Sequence, residues 1–199
     1  MIKAVIFDLG SVYFINGTKK LIETISKKYF VFPAEVANII DGGIGAKYRA
    51  SEIGDKEFWN YVKSQLPLKE TTDKLKQILF EGYGPIEGTI SLVNRLGKKY
   101  RVAFLSDNVK ERADYLEENF HFRQNFETGI FSHQVGVRKP DKRIYDAVLK
   151  KLNLNPEECV FIDDKESSLK PALELGMKTI LFASAEETEE ALKKLGLEF

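Results

Sequence analysis

The sequence predicts an α/β fold, with a parallel sheet flanked by helices and a small all-helical insertion after the first strand. Three observations predict it. Apolar, β-branched and aromatic runs alternate with amphipathic helical patterns, which implies βαβ units. One long stretch breaks that alternation and carries helical patterns alone. Finally, several of the apolar runs end in a polar residue, as buried parallel strands do when they deliver side chains to the carboxyl edge of a sheet, where open α/β folds bind ligands.

The strand-like runs are IKAVIF (2–7), RVAFLS (101–106), CVFID (159–163) and KTILFA (178–183), with a weaker one at GIFSHQ (129–134). The helical patterns between and after them are TISLVNRLGKK, KERADYLEENF, DKRIYDAVLKKL, SLKPALELG and EETEEALKKL. Pro140 and Asp141 open one helix, Asn155-Pro156 starts a short turn, and Gly176 closes another. From Asn16 to Gly84 the patterns are TKKLIETISKKY, PAEVANII, DKEFWNYVKSQL and TTDKLKQILF, bracketed by Asn16-Gly17 and by Gly82-Tyr83-Gly84-Pro85 as hinges. The expected organisation is therefore a core of residues 1–15 and 85–199, with residues 16–84 forming a helical cap over the carboxyl edge, placed to exclude water.

Composition narrows the function. With 199 residues the chain is long enough for a substantial core. Lys+Arg 30 against Asp+Glu 30 leaves no net charge, so neither nucleic acid nor an anionic membrane is favoured as a partner. The single Cys159, inside CVFI, reads as a buried structural thiol and fits a reducing, cytoplasmic setting. The amino terminus enters a strand directly, without a basic leader, and no run approaches a membrane span. A monomer is the default expectation. His121 and His133 have no partner at ligand spacing and read as surface or satisfied core residues.

Asp8, Ser106, Lys139, Asp163 and Asp164 carry the chemistry. They lie in IKAVIFDLGSV, VAFLSDN, GVRKPD and CVFIDD, at strand ends or in the turns that follow. Three acids, a hydroxyl and a lysine at one sheet edge suit the holding of a divalent metal and a phosphoryl group beside a nucleophile. Adjacent carboxylates repel one another unless a cation is near, so Asp163-Asp164 at a strand end favours a metal site. Magnesium takes oxygen ligands, commonly one or two carboxylates with substrate phosphate.

In order and context, FDLGSV, LSDN, RKPD and FIDD resemble the four motifs of the haloacid dehalogenase (HAD) superfamily, across essentially the whole chain. The resemblance is to the branch with a helical cap between the first two motifs (C1-type, subfamily IA). FDLG followed by a small residue and Val resembles sugar-phosphate phosphatases and the phosphatase domains of epoxide hydrolases. The resemblance implies a Rossmann-like core and a Mg²⁺-dependent phosphatase acting on a small phosphorylated metabolite. Asp8 would be the nucleophile, forming an aspartyl-phosphate. Lys139 would neutralise Asp8 and the transferring phosphoryl charge. Ser106, Asp107, Leu9 and Lys139 would surround the phosphate. Asp8, the backbone carbonyl of Gly10, Asp164 and Asp163 would hold the metal.

Departures from the pattern qualify that expectation. The second acid of the first motif, two residues after the nucleophile, is Gly10 here. That acid protonates the leaving alcohol and activates the hydrolytic water, help worth ~10²–10⁴-fold. Its loss hurts least where the leaving group is already good, as in an anomeric sugar phosphate. Two alternatives follow: a 2-haloacid dehalogenase, which uses a strand-end Asp and no metal, or a catalytically impaired ligand-binding relative. Asp107 stands where Asn is commoner, and Arg138 reads as a solvated surface residue. In YRASEIGDKEFW, Tyr48 and Arg49 join Asn16 as substrate contacts from the cap; Tyr13 and Trp59 are further candidates, with Trp59 and Phe58 belonging to the cap core.

Overall fold

The computed structural model describes residues 1–199. In chain order, β1 (Ala4–Phe7) and β2 (Phe14–Ile15) precede five helices: α1 (Gly17–Tyr29), α2 (Pro33–Asp41), α3 (Gly43–Arg49), α4 (Asp55–Gln65) and α5 (Thr72–Glu81). After β3 (Gly84–Pro85) come α6 (Glu87–Leu96), β4 (Arg101–Ser106), α7 (Lys110–Phe120), β5 (Thr128–Phe131), α8 (Ser132–Val135) and α9 (Lys142–Leu152). The chain ends with β6 (Cys159–Asp163), α10 (Glu166–Leu175), β7 (Lys178–Leu181) and α11 (Ala185–Lys194). No helix is long and apolar enough to cross a membrane.

Five strands form one parallel sheet in the order β5-β4-β1-β6-β7. Its centre, β1, is buried at every position, and alternation divides it between two cores. Val5 and Phe7 join Leu92, Val93, Leu96, Ala113, Leu116 and Leu192 on one face. Ala4 and Ile6 join Ile144, Tyr145, Val148, Leu152, Leu169 and Ala172 on the other. A sheet covered by helices on both faces needs strands apolar throughout, which is why the runs lack a polar alternate. Cys159 is fully buried on β6, and burial pushes its thiol up to about 11.

GIFSHQ departs from expectation in its second half. The strand ends at Phe131 and α8 begins at Ser132, because Gln134 Oε1 accepts the Phe131 amide proton at 3.0 Å and turns the chain. His133 is satisfied by its Nδ1 contact of 2.8 Å with the Asn108 carbonyl oxygen, and its ring stacks on Phe131. Pro156 opens a short 3₁₀ turn, and Gly176 caps α10 in the left-handed region at φ 104°.

The helices α1 to α5 enclose a third core of Leu21, Ile25, Val36, Ile40, Tyr48, Phe58, Trp59, Val62, Leu75 and Leu79. The helix α3, over GIGAKYR, was not apparent in the sequence; its glycines mask the pattern. The outgoing and returning chains pair as an antiparallel ribbon, Phe14 with Pro85 and Ile15 with Gly84. Beside it the ends of α1 and α5 approach closely. A Cβ at Gly17 would lie 2.2 Å from the Leu79 carbonyl oxygen and 2.5 Å from the Tyr83 ring, so only glycine fits.

Candidate active site

Strand register builds the site. Phe7 pairs with Ile162 and with Phe104, so the next residues, Asp8 and Asp163, emerge side by side at the carboxyl edge. The Asp8 amide donates to the Ile162 carbonyl at 2.8 Å and fixes that alignment. One ligand atom from each of Asp8, Asp163 and Asp164 falls within a span of 4.8 Å.

Lys139 enters between these acids from the loop before α9. Its Nζ donates to Asp8 Oδ1 at 2.8 Å, to Asp163 Oδ2 at 2.6 Å and to the Leu105 carbonyl at 3.2 Å. All three side chains are at least nine-tenths buried. Burial alone disfavours the ammonium, but Asp8, Asp163 and Asp107 outweigh it and hold Lys139 charged above its ordinary range. Burial raises the Asp8 carboxyl, opposed by Lys139 and reinforced by Asp163. Three carboxylates around one ammonium leave excess negative charge that a divalent cation fits, and Asp8, Asp163 and Asp164 are the residues able to hold it.

Ser106, the last residue of β4, is buried at the same edge and shares a cavity of about 330 Å³ with Asp8, Leu9, Gly10, Asn16, Arg49, Asp107, Lys139 and Asp163. Leu9 is buried in the core and also borders that space. Asp107 turns toward the lysine loop, where its Oδ1 accepts the Lys139 amide proton at 3.0 Å. Arg138, expected in solvent, instead lines the cavity and pairs with Asp107 Oδ2 at 3.4 Å, because the two loops are drawn together by that contact. A Cβ at Gly10 would stand 3.9 Å from Asp8 Oδ2 and 4.0 Å from Asn16 Nδ2, in ordinary contact with both and clashing with neither.

The residues expected from the helical segment separate. Asn16 caps α1, its Oδ1 accepting from Thr18 at 3.0 Å, and lines the cavity. Arg49 lines it too, with Nη1 donating to Asp41 Oδ1 at 2.9 Å. Tyr48 does not: it stacks on Phe58 and donates to Asp55 at 2.8 Å. Tyr13 and Trp59 are core residues. The sequence reading missed Asp41, Tyr83, Arg112 and Ser132. Ser132 Oγ accepts the Asn108 amide proton at 2.9 Å and donates to the Arg49 carbonyl at 2.6 Å, linking the sheet's loops to α3.

Residues 5–182 match the haloacid dehalogenase-like hydrolase family, and the chain belongs to it. It is 47% identical to rat bifunctional epoxide hydrolase 2 over 72 residues, 36% of this chain and 12% of that protein. It is 25% identical to the sesquiterpene phosphatase astK of Aspergillus oryzae over 186 residues, 88% of this chain and 87% of that one. The chain spans between 12% and 66% of the length of the first curated relatives it matches. Among solved structures, a HAD family enzyme from Bacteroides thetaiotaomicron in complex with magnesium and inorganic phosphate superposes with a TM-score of 0.75 at 24% identity, covering 90% of this chain and 93% of that one.

Proposed function

We propose that this hydrolase is a Mg²⁺-dependent phosphatase of a small phosphorylated metabolite, working through an aspartyl-phosphate on Asp8. The observation that carries the reading is the single ammonium of Lys139 shared by Asp8 and Asp163 within a cluster of three carboxylates. That charge balance favours a metal-using enzyme over the metal-free dehalogenase alternative. A sesquiterpene phosphatase among its relatives, and a neighbour bound to magnesium and phosphate, support the same choice.

Asp8, with Asp163, Asp164 and the Gly10 carbonyl, would hold the ion, which when bound supplies positive charge against the phosphoryl oxygens. Lys139 fixes Asp8 through Oδ1. An Asp8 carboxylate oxygen then attacks phosphorus while the bond from phosphorus to the leaving alcohol breaks. The Ser106 hydroxyl and the backbone at Leu9 and Asp107 bind the phosphoryl oxygens. Water then attacks the aspartyl-phosphate, releasing phosphate and restoring the carboxylate. Gly10 offers no acid for the leaving alkoxide, so substrates with good leaving groups, such as anomeric sugar phosphates, suit the site. The five helices would act as a cap, with Asn16 and Arg49 facing the substrate.

The test is phosphate release from sugar, nucleotide and aryl phosphates with and without Mg²⁺, using Asp8→Asn as control. Metal-dependent release that the substitution abolishes is the expected result. Metal-independent release of halide from 2-haloacids, with no phosphate released, would replace this reading with the dehalogenase.

A further inference from the structure

Five basic side chains line the cavity: Arg49, Arg112, Arg138, Lys139 and Lys165. Three of them have carboxylate partners, and Lys165, which has none, is exposed to solvent. Lys139 serves Asp8 and Asp163, Arg49 is bonded to Asp41, and Arg138 faces Asp107. Arg112 differs. It is 8% exposed, its guanidinium forms no ion pair, its Nε, like that of Arg138, has no hydrogen-bond partner, and its one charge-related contact is with the Tyr83 ring, whose centre lies 6.0 Å away. A buried, unpaired guanidinium is costly, and a ligand is the usual remedy.

Its position in the chain places it where a substrate passes. Arg112 lies in the first turn of α7, six residues beyond Ser106, so strand end and helix start present hydroxyl and guanidinium to one space. Phe14, Tyr83 and Leu116 provide apolar wall there. Burial, with Arg112 and Arg138 nearby and Asp41 opposing, holds Arg49 below its ordinary range, so positive charge is concentrated on this side of the cavity.

We infer that Arg112 is a specificity residue that binds a second anionic group of the substrate, a carboxylate by preference, while Asp8 and Lys139 engage the phosphoryl end. The inference rests on the phosphatase reading above and narrows it to phosphorylated acids. A planar guanidinium matches a carboxylate through two parallel hydrogen bonds, and Arg112 is the one buried guanidinium of the lining that has no carboxylate of its own.

Non-hydrolysable phosphonates test it without turnover. Binding of phosphonoacetate and 3-phosphonopropionate is measured by calorimetry with Mg²⁺, against ethylphosphonate and propylphosphonate. The expected result is a preference of about tenfold or more for the carboxylates. Arg112→Ala abolishes that preference but changes the plain alkylphosphonates less than about twofold, and Arg112→Lys keeps part of it. Propane-1,3-bisphosphonate binding more tightly than the carboxylates, again through Arg112, would identify the second group as phosphate. Equal binding of carboxylate and alkyl ligands, or equal weakening of both in Arg112→Ala, would overturn the inference while leaving the phosphatase intact. Failure of every phosphonate to bind would overturn both.

Discussion

The Ser132 hydroxyl lies 2.6 Å from the carbonyl oxygen of Arg49, joining the first residue of α8 to the last residue of α3. Ser132 is fully buried and also accepts the Asn108 amide proton, so one side chain ties the helical segment to the loop that follows Ser106. Ser132→Ala leaves a buried amide and a buried carbonyl without this partner. The expected cost is about 1–3 kcal/mol of stability, read as a lower urea midpoint. An unchanged midpoint would mean that water replaces the hydroxyl without loss.

Lys139 compensates two buried carboxylates at once. Lys139→Met should therefore destabilise the protein by about 3 kcal/mol and reduce phosphate release about 10²-fold or more. Asp8→Asn removes a charge from the crowded cluster, so it should abolish release with the thermal midpoint unchanged or raised. Unfolding of Asp8→Asn would contradict the excess of negative charge argued above.

The space beside Gly10 predicts a gain of function. Gly10→Asp places a carboxyl where a Cβ sits 3.9 Å from Asp8 Oδ2 without a clash. Turnover of alkyl phosphates with poor leaving groups should rise up to about 10²-fold, and that of anomeric phosphates only a few-fold. Equal gains on both classes, or none, would remove the leaving-group argument.

Glu70 predicts a pH dependence of stability. It accepts from Lys28 Nζ and from Tyr29 Oη, both at 2.5 Å, and these bonds hold its carboxyl down to about 2. A carboxylate depressed on folding contributes stability that is complete above its ordinary value near 4.5 and lost as pH falls through about 2. Glu70→Gln should therefore lower the urea midpoint at pH 7, with the difference from the parent narrowing between pH 4.5 and 2. A difference independent of pH would assign the effect to packing. Lys28 is more than half exposed while Glu70 is largely covered, so solvent screens the pair from one side and the effect will be small and salt-sensitive.

Gly17→Ala would drive a methyl group into the Leu79 carbonyl and the Tyr83 ring. Parting α1 from α5 should cost about 1–3 kcal/mol. Because Tyr83 also borders the cavity, a change in KM should accompany the fall in thermal midpoint. An unaltered midpoint would show that the two helices separate without cost.

Residues whose placement follows from strand position were legible in the sequence. Asp8, Ser106 and Asp163 end or follow apolar runs, and a parallel register necessarily brings such positions together. Residues whose roles depend on contacts distant in the chain were not. Asp107 reads as an extra charge beside a phosphate site until its partner, the Lys139 amide 32 residues away, is seen. Arg112 sits in KERADYLEENF, where an arginine on an amphipathic helix suggests solvent; only the turn from β4 into α7 shows that it faces inward. Tyr48 failed in the opposite sense, since a phenol suits ligand and core equally, and Asp55 with Phe58 claims it for the core.

The ribbon of Phe14–Ile15 against Gly84–Pro85 makes both crossings between the sheet and the five helices a single hinge pin, four residues wide. The Ser132–Arg49 and Lys76–Glu111 contacts are further ties between the helices and the sheet's side of the molecule. The wall of the cavity is accordingly drawn from both sides of the ribbon. Lys139, Arg112 and Arg138 belong to the sheet side, while Asp41 and Arg49 belong to the helices. Any swing about the ribbon would therefore carry Arg49 together with its partner Asp41, and would leave the contacts among Asp8, Asp163 and Lys139 as they are.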